Sequence, residues 1–267
     1  MLEKYYFTIT AGRTGTSWLR EFITRNLEIN CVHESLGIDD FGVKMPDIKT
    51  MRSFNDRGLD KVVRSFWKKK FKSIDMYEKY AETNHTLAKC GLVESLTKWK
   101  HVDQTKVIIL RRENKLNQCA SYIERHDFTN ITIDWQWYLS FYYKNVIVNP
   151  KPFVEIGYFG RVIWYVYEVE CRQEYYRQLY SDKIDFVEAT LEDVTTQKGA
   201  DYFLKQLGSD KKAIIFGKKN ASKTNIGDEK KEEIAFLLER INIDVTKVVS
   251  NYISSGTRLS FENETCT

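Results

Sequence analysis

The sequence predicts an α/β protein of three layers, α/β/α, with a central parallel sheet. Three observations carry that expectation. β-branched and apolar runs alternate along the chain with amphipathic stretches of helical period, the pattern of repeated strand–helix crossovers. The run Phe7-Thr8-Ile9-Thr10-Ala11-Gly12-Arg13-Thr14-Gly15-Thr16-Ser17-Trp18-Leu19 passes from strand to small polar loop to helix without a break. A second run, Lys106-Val107-Ile108-Ile109-Leu110, ends in Arg111-Arg112 and gives way to another helical segment. At 267 residues, 42% of them hydrophobic, length favours a single domain spanning 1–267 with a sizeable core. Ligands of such a sheet are expected at the carboxyl ends of its strands.

In the first helix Leu19, Phe22, Ile23 and Leu27 recur at i, i+3, i+4 and i+8, one face of a helix. Ile29 to His33 reads as a short second strand ending in Glu34-Ser35-Leu36-Gly37. Met51 to Tyr80 is charged and helical in pattern, with Val62, Phe66, Phe71 and Met76 as apolar anchors, a helical insert over about 50–80. Tyr80 to His85 reads as a third strand end. After the strand at 106–110, Asn114 is placed to cap a helix whose apolar face is Leu116, Ala120 and Ile123. Trp135 to Ile147 is aromatic-rich and read as helical. Val148 to Gly160 holds two of the chain's three prolines and is read as a loop, so that 130–160 forms a lid or acceptor region. Arg161 to Tyr180 reads as a long helix, Lys183 to Glu188 as a strand, and Tyr202 to Leu207 as a helix, with further helices at the C-terminal end.

The loop of the first run carries the chemistry. A strand feeding a helix N-terminus through small residues turns backbone N–H groups and the helix dipole onto an anion. Gly12 and Gly15 let the backbone approach a phosphate, and Thr14, Thr16 and Ser17 add hydroxyls. A Walker loop, G-x-x-x-x-G-K-S/T, places a lysine on the β/γ-phosphates and a hydroxyl on Mg²⁺. Aligned on Gly15 and Ser17, Thr10 stands for the first glycine and Thr16 for the lysine, while the cation sits inside the loop as Arg13. That arrangement suits a phosphate or phosphosulfate held without a metal.

Arg13-Thr14-Gly15-Thr16-Ser17-Trp18 resembles the Lys/Arg–Ser/Thr–Gly–Ser/Thr–Ser/Thr–Trp/Leu loop of sulfotransferases that use PAPS (3′-phosphoadenosine 5′-phosphosulfate). The resemblance implies a P-loop-like strand–loop–helix in a sulfotransferase-like fold, with PAPS as donor, PAP as product and a hydroxyl of a glycan, small alcohol or phenol as acceptor. It implies that the loop binds the 5′-phosphosulfate, that Arg13 contacts the bridging oxygen and the transferring group, and that Trp18 stacks on adenine. Without it, Trp18 reads as a core residue.

The second run supplies a partner motif. A guanidinium just past a strand end and a hydroxyl two turns into the next helix can grip one phosphate from two sides, and the planar fork of arginine suits that task. Arg112 precedes Ser121 by nine residues, a spacing similar to the family's 3′-phosphate motif; Arg111 is the reserve. The basic stretch Lys218-Lys219-Asn220-Ala221-Ser222-Lys223 resembles the loop that closes over the nucleotide in that family, with Lys219 and Asn220 as contacts, and reads otherwise as a solvated charged face.

Charge and cysteines bound the alternatives. Forty-one basic against 37 acidic residues give +4, evenly spread, which argues against duplex nucleic acid as a partner. Cys31, Cys90, Cys119, Cys171 and Cys266 show no C-x-x-C spacing and read as reduced, mostly buried thiols of a cytoplasmic protein. No run approaches 18 apolar residues, so no transmembrane helix is expected, and a first strand beginning near residue 5 leaves no room for a signal peptide. No H-E-x-x-H or Cys/His cluster is present, and no metal is expected. His101 and His126 read as surface residues.

Sulfuryl transfer to a hydroxyl needs a cation at the leaving oxygen, donors around the phosphosulfate, and a base. Arg13 fills the first role and the loop hydroxyls the second. Two candidates remain for the base: Glu34, with His33 beside it, and His85 in Thr83-Asn84-His85, where Glu82 could orient it. Of these, Glu34 is favoured narrowly. The rival readings are a P-loop kinase or NTPase, which lacks its lysine here, and a non-catalytic nucleotide-binding protein of the same fold.

Overall fold

The structure, a computed structural model, describes residues 4–217 and 226–260. Five strands, β1 (Tyr5–Ile9), β2 (Cys31–Val32), β3 (Tyr80–Glu82), β4 (Thr105–Arg111) and β5 (Asp185–Thr190), pair in one sheet of order β2-β3-β1-β4-β5. Every pairing is parallel. Central parallel strands are buried on both faces and are therefore mostly apolar, as in β1 and in the Val107–Leu110 run of β4. Alternate residues serve opposite cores. Phe7, Ile9, Val107 and Ile109 face one cluster, and Tyr6, Ile108 and Leu110 face the other.

Among the described residues the helices are α1 (Thr16–Leu27), α2 (Ile48–Arg57), α3 (Lys61–Ile74), α4 (Leu92–Leu96), α5 (Lys115–Glu124), α6 (Ile131–Trp137), α7 (Lys151–Val154), α8 (Tyr158–Tyr180), α9 (Leu191–Val194), α10 (Gln197–Gln206), α11 (Asp228–Ile241) and α12 (Val245–Ser254). The side chains of α1 and α10 close the smaller core, through Trp18, Leu19, Phe22, Ile23, Phe203 and Leu204. The helices α3, α5, α8, α11 and α12 contribute to the larger one. Short polar side chains start several of them. Asp47 accepts from the amide of Thr50, Asp60 from Val62 and Val63, and Asn114 from Asn117 at 2.8 Å, each satisfying donors that a helix leaves free. Asn114 is the cap the sequence indicates.

Two segments differ from expectation. The helix read over Trp135–Ile147 stops at Trp137, and 138–149 is irregular. Buried charges on α8 claim its backbone: Glu168 accepts from the amides of Ile147 and Val148 at 2.9 and 2.8 Å, and Arg172 donates to the Asn145 carbonyl at 2.7 Å. Glu168 and Arg172 are themselves paired at 2.8 Å with no exposure to speak of. The segment Val148–Gly160 is not an open loop either. It contains α7 and the first turn of α8, with Val148 and Phe153 buried. Smaller shifts occur at the edges. The helical insert splits into α2 and α3, β2 is only two residues long, and the last strand lies at 185–190 rather than 183–188.

Connections leave the two central strands in opposite directions. From β1 the chain crosses through α1 to β2 at one edge, and from β4 it crosses through α5 to α8 toward β5 at the other. Such a reversal opens a crevice at the carboxyl ends of the adjacent strands. Gln173 of α8 spans it, its amide donating to the carbonyls of Ile9 at 2.8 Å and Leu110 at 3.2 Å.

Glu94 of α4 is 2% exposed, and burial pushes its pKa up to about 7. The unfolded chain ionises near ~4.3. Between these values the folded protein keeps a proton the unfolded chain has released, so stability falls as pH rises through that window and levels above it. Glu94→Gln removes the effect. Its advantage over the parent should grow by about 1.4 kcal/mol per pH unit across the window, reaching about 3–4 kcal/mol above it. Urea unfolding at about pH 5, 7 and 9 checks this; a shift equal at all three would assign the difference to packing.

Candidate functional site

The loop after β1 runs Thr10–Gly15 and enters α1 with Gly15 as its cap. Gly12, Arg13 and Gly15 all have positive φ, at 97°, 55° and 86°. Gly15 is required twice over, because a Cβ there would also stand 2.5 Å from Leu191 Cδ1. Three successive carbonyls of the loop are captured by side chains from elsewhere. The Ala11 carbonyl accepts from the hydroxyls of Tyr122 and Tyr165, both at 2.7 Å; that of Gly12 accepts from Gln118 at 2.9 Å; and that of Arg13 accepts from Arg112 at 3.3 Å. Among the described residues no acceptor is found for the amides of Arg13, Thr14 and Gly15. With the free first-turn amides of α1, they form a run of donors at the crevice mouth, the arrangement that suits an anion.

The two sequence motifs meet here. Arg13 Nε donates to Ser121 Oγ at 3.0 Å across 108 residues of chain. Arg112 leans on the same loop, and its Nε is buried without a hydrogen bond, 4.0 Å from Glu192. Burial lowers the Arg112 pKa, Glu192 opposes that, and Arg13 adds to it. Arg13 and Arg112 thus share one crevice, and the Glu192 carboxylate stands 4.0 Å from Arg112 Nε, too far for a hydrogen bond, which leaves room for a bound anion. Arg111, the reserve, is employed otherwise, donating to Gln173 at 3.1 Å and Glu188 at 2.8 Å.

Not every loop side chain faces a ligand. Thr14 is buried, and its hydroxyl pairs with Thr10 Oγ1 at 2.5 Å, so it shapes the loop instead of lending a donor. Thr16 opens α1, and Ser17 Oγ lies 3.4 Å from His33 Nε2. Trp18 is a correction to the adenine-stacking expectation. It is 3% exposed, with the rings of Phe22 and Phe216 stacked at 5.0 and 5.3 Å. Its helix position turns it into the smaller core, and no face is open to a base. Lys219 and Asn220 lie outside the described residues.

The two candidate bases, read from the sequence as alternatives, are neighbours in space. Because β2 and β3 pair in parallel, Glu34 and His85 leave adjacent strand ends, and Glu34 Oε1 stands 3.5 Å from His85 Nε2 and 4.0 Å from His33 Nε2. His33 is tethered by Thr83 Oγ1 at 3.0 Å. Burial raises the Glu34 pKa, opposed by His33, Lys89 and Arg13. Burial and the charges of Lys89, His33 and Arg13 hold His85 well below the usual imidazole value. The rings of Trp137 and Tyr138 stack on it at 5.7 and 5.9 Å, so residues of the 130–160 region contact this site. Glu82, weighed as a partner for His85, instead pairs with the buried Lys70 at 2.8 Å and accepts from Tyr80 and Asn84.

Sequence reasoning missed Lys89, fully buried and 2.8 Å from His85 Nδ1. Its signal is a lone lysine inside the apolar run Leu87-Ala88-Lys89-Cys90-Gly91-Leu92-Val93, one helical turn past His85. It also missed Gln118, Tyr122, Tyr165 and Gln173, which reach the loop from α5 and α8. His101, read as a surface residue, stacks on Tyr5 at 4.8 Å and is half-buried; His126 is exposed. Cys31, Cys90, Cys119 and Cys171 are free and buried. Among the described residues no group of three or more His, Cys, Asp or Glu could hold a metal ion, and no helix is long and apolar enough to cross a membrane. A cavity of ≈ 890 Å³ between the 147–156 segment and α11–α12 contains none of these site residues. No family model, curated protein or solved structure matches the chain.

Trp18→Ala should therefore lower stability by about 3–5 kcal/mol, the cost of emptying a buried aromatic site, and Trp18→Phe by much less. Urea denaturation measures both; an intact fold in Trp18→Ala would return the ring to ligand binding.

Proposed function

We propose that the chain is a PAPS-dependent sulfotransferase, moving a sulfuryl group to a hydroxyl acceptor. The observation that carries the reading is the contact of Arg13 with Ser121, which brings the phosphosulfate-like loop and the 3′-phosphate-like motif into one crevice. The unsatisfied Arg112 Nε and the free loop amides support an anion with more than one charged group. In the reaction, the acceptor oxygen loses its proton to Glu34 and attacks sulfur in line. The new S–O bond forms as the bond to the bridging phosphate oxygen breaks, and that oxygen leaves as part of PAP. Arg13 and the α1 N-terminus meet the charge that develops on it. Positioning and electrostatics supply the acceleration, as in phosphoryl transfer, and no metal takes part in this scheme.

Calorimetry with PAP in the presence of a chelator tests the reading. PAP should bind without Mg²⁺ and raise the melting temperature, while ATP with Mg²⁺ should not; the reverse pattern would favour a kinase or NTPase, and absence of PAP binding in folded protein would defeat the proposal. Arg112→Ala should weaken PAP by about 1.5–3 kcal/mol, the scale of a lost charge-assisted hydrogen bond.

Arg13→Ala should lower kcat by about 10²–10³ while changing PAP affinity less, because its charge is needed where negative charge develops in the transition state. Turnover measured beside PAP affinity decides; equal losses in both would make Arg13 a binding residue only.

A further inference from the structure

We infer that Lys89 fixes His85 in its Nε2–H tautomer, which makes His85 a positioning residue for Glu34 and leaves the Glu34 carboxylate to take the acceptor proton. The catalytic half of this inference rests on the sulfotransferase reading; the tautomer does not. Lys89 Nζ makes three short contacts: the Trp137 carbonyl at 2.5 Å, Tyr165 Oη at 2.6 Å and His85 Nδ1 at 2.8 Å. A carbonyl can only accept. Tyr165 has its one proton committed to the Ala11 carbonyl at 2.7 Å, so toward Lys89 its oxygen must accept as well. Two ammonium protons are thereby spent, and the third points at Nδ1.

An Nδ1 that accepts leaves the proton of a neutral imidazole on Nε2. The nearest charged partner of Nε2 is Glu34 Oε1, at 3.5 Å. A nitrogen that carries a proton cannot act as a base in the same form; it can orient a carboxylate. Trp137 and Tyr138 both stack on the ring. Burial pushes the Lys89 pKa down and Glu34 pulls it up, and three acceptors in contact are the condition under which a buried ammonium is retained. Burial, with the charges of Lys89, His33 and Arg13 added to it, lowers the His85 pKa well below the usual imidazole value, in keeping with an Nδ1 that accepts from Lys89.

The test is a long-range nitrogen–proton spectrum of the intact protein labelled in histidine, with the His85 signals assigned by their loss in His85→Gln. The expected pattern near neutral pH has Nδ1 unprotonated and Nε2 protonated, and Lys89→Met should lose it, converting to a mixture with Nδ1–H populated. A parent protein in the Nδ1–H form, or a folded Lys89→Met that keeps the parent pattern, overturns the inference. Should Lys89→Met fail to fold, the parent spectrum still decides, since an accepting lysine demands the opposite tautomer. Failure of PAP to bind while the Nε2–H form is observed would remove the sulfotransferase reading and leave the lysine–histidine assignment standing.

Discussion

The reversal of chain direction between β1 and β4 is the constraint on which the site depends. Two adjacent parallel strands send their continuations to opposite edges of the sheet, which opens a gap between their carboxyl ends. Side chains line that gap together with the amides of the loop. Gln173 supplies the bridge across it, and Arg111 steadies that amide through Oε1. The loop hangs from one lip and Arg112 from the other.

Polar groups in the interior are organised around this gap. The pairs Lys70–Glu82, between α3 and β3, and Glu168–Arg172, one turn apart on α8, are buried at normal ion-pair distance. Pairs of that kind contribute little net stability compared with apolar packing, yet breaking one leaves a buried charge exposed to an apolar surround. Their effect here is geometric. One fixes the end of β3, from which His85 departs, and the other fixes the irregular 138–149 segment, which begins at Tyr138 directly after Trp137. Both flank the groups around Glu34. The mild overall charge of +4 conceals this local arrangement.

Local signals in the sequence were legible; consequences of topology were not. The strand–loop–helix at 5–27, the Asn114 cap and the long helix, read over 161–180 and found over 158–180, depend on residues close in sequence, and local patterns exposed them. Both anion motifs could be read for the same reason. That Glu34 and His85 are neighbours depends on β2 pairing with β3, which no spacing encodes, so the two stood as rivals. Trp18 shows the opposite error: a position matched to a motif, while the apolar stripe it shares with Phe22 already marked it as core. The segment 138–149 carries helical composition but gives its amides to Glu168, a partner twenty residues downstream. Lys89 was passed over because a lysine is ordinarily read as surface, although its apolar flanks said otherwise.

The captured carbonyls of the loop have a kinetic meaning. Their partners lie 106, 111 and 154 residues away in sequence, so the stretch that looks most self-contained owes its shape to contacts across a large part of the chain. Contacts of that range form only after the intervening chain has been organised, and they slow folding accordingly. The loop should be among the last parts of the fold to take its final form, after α5 and α8 have docked on the sheet. Until then Gly12, Arg13 and Gly15 have no reason to hold their left-handed conformations, and a nascent or truncated chain would present the motif without the cradle.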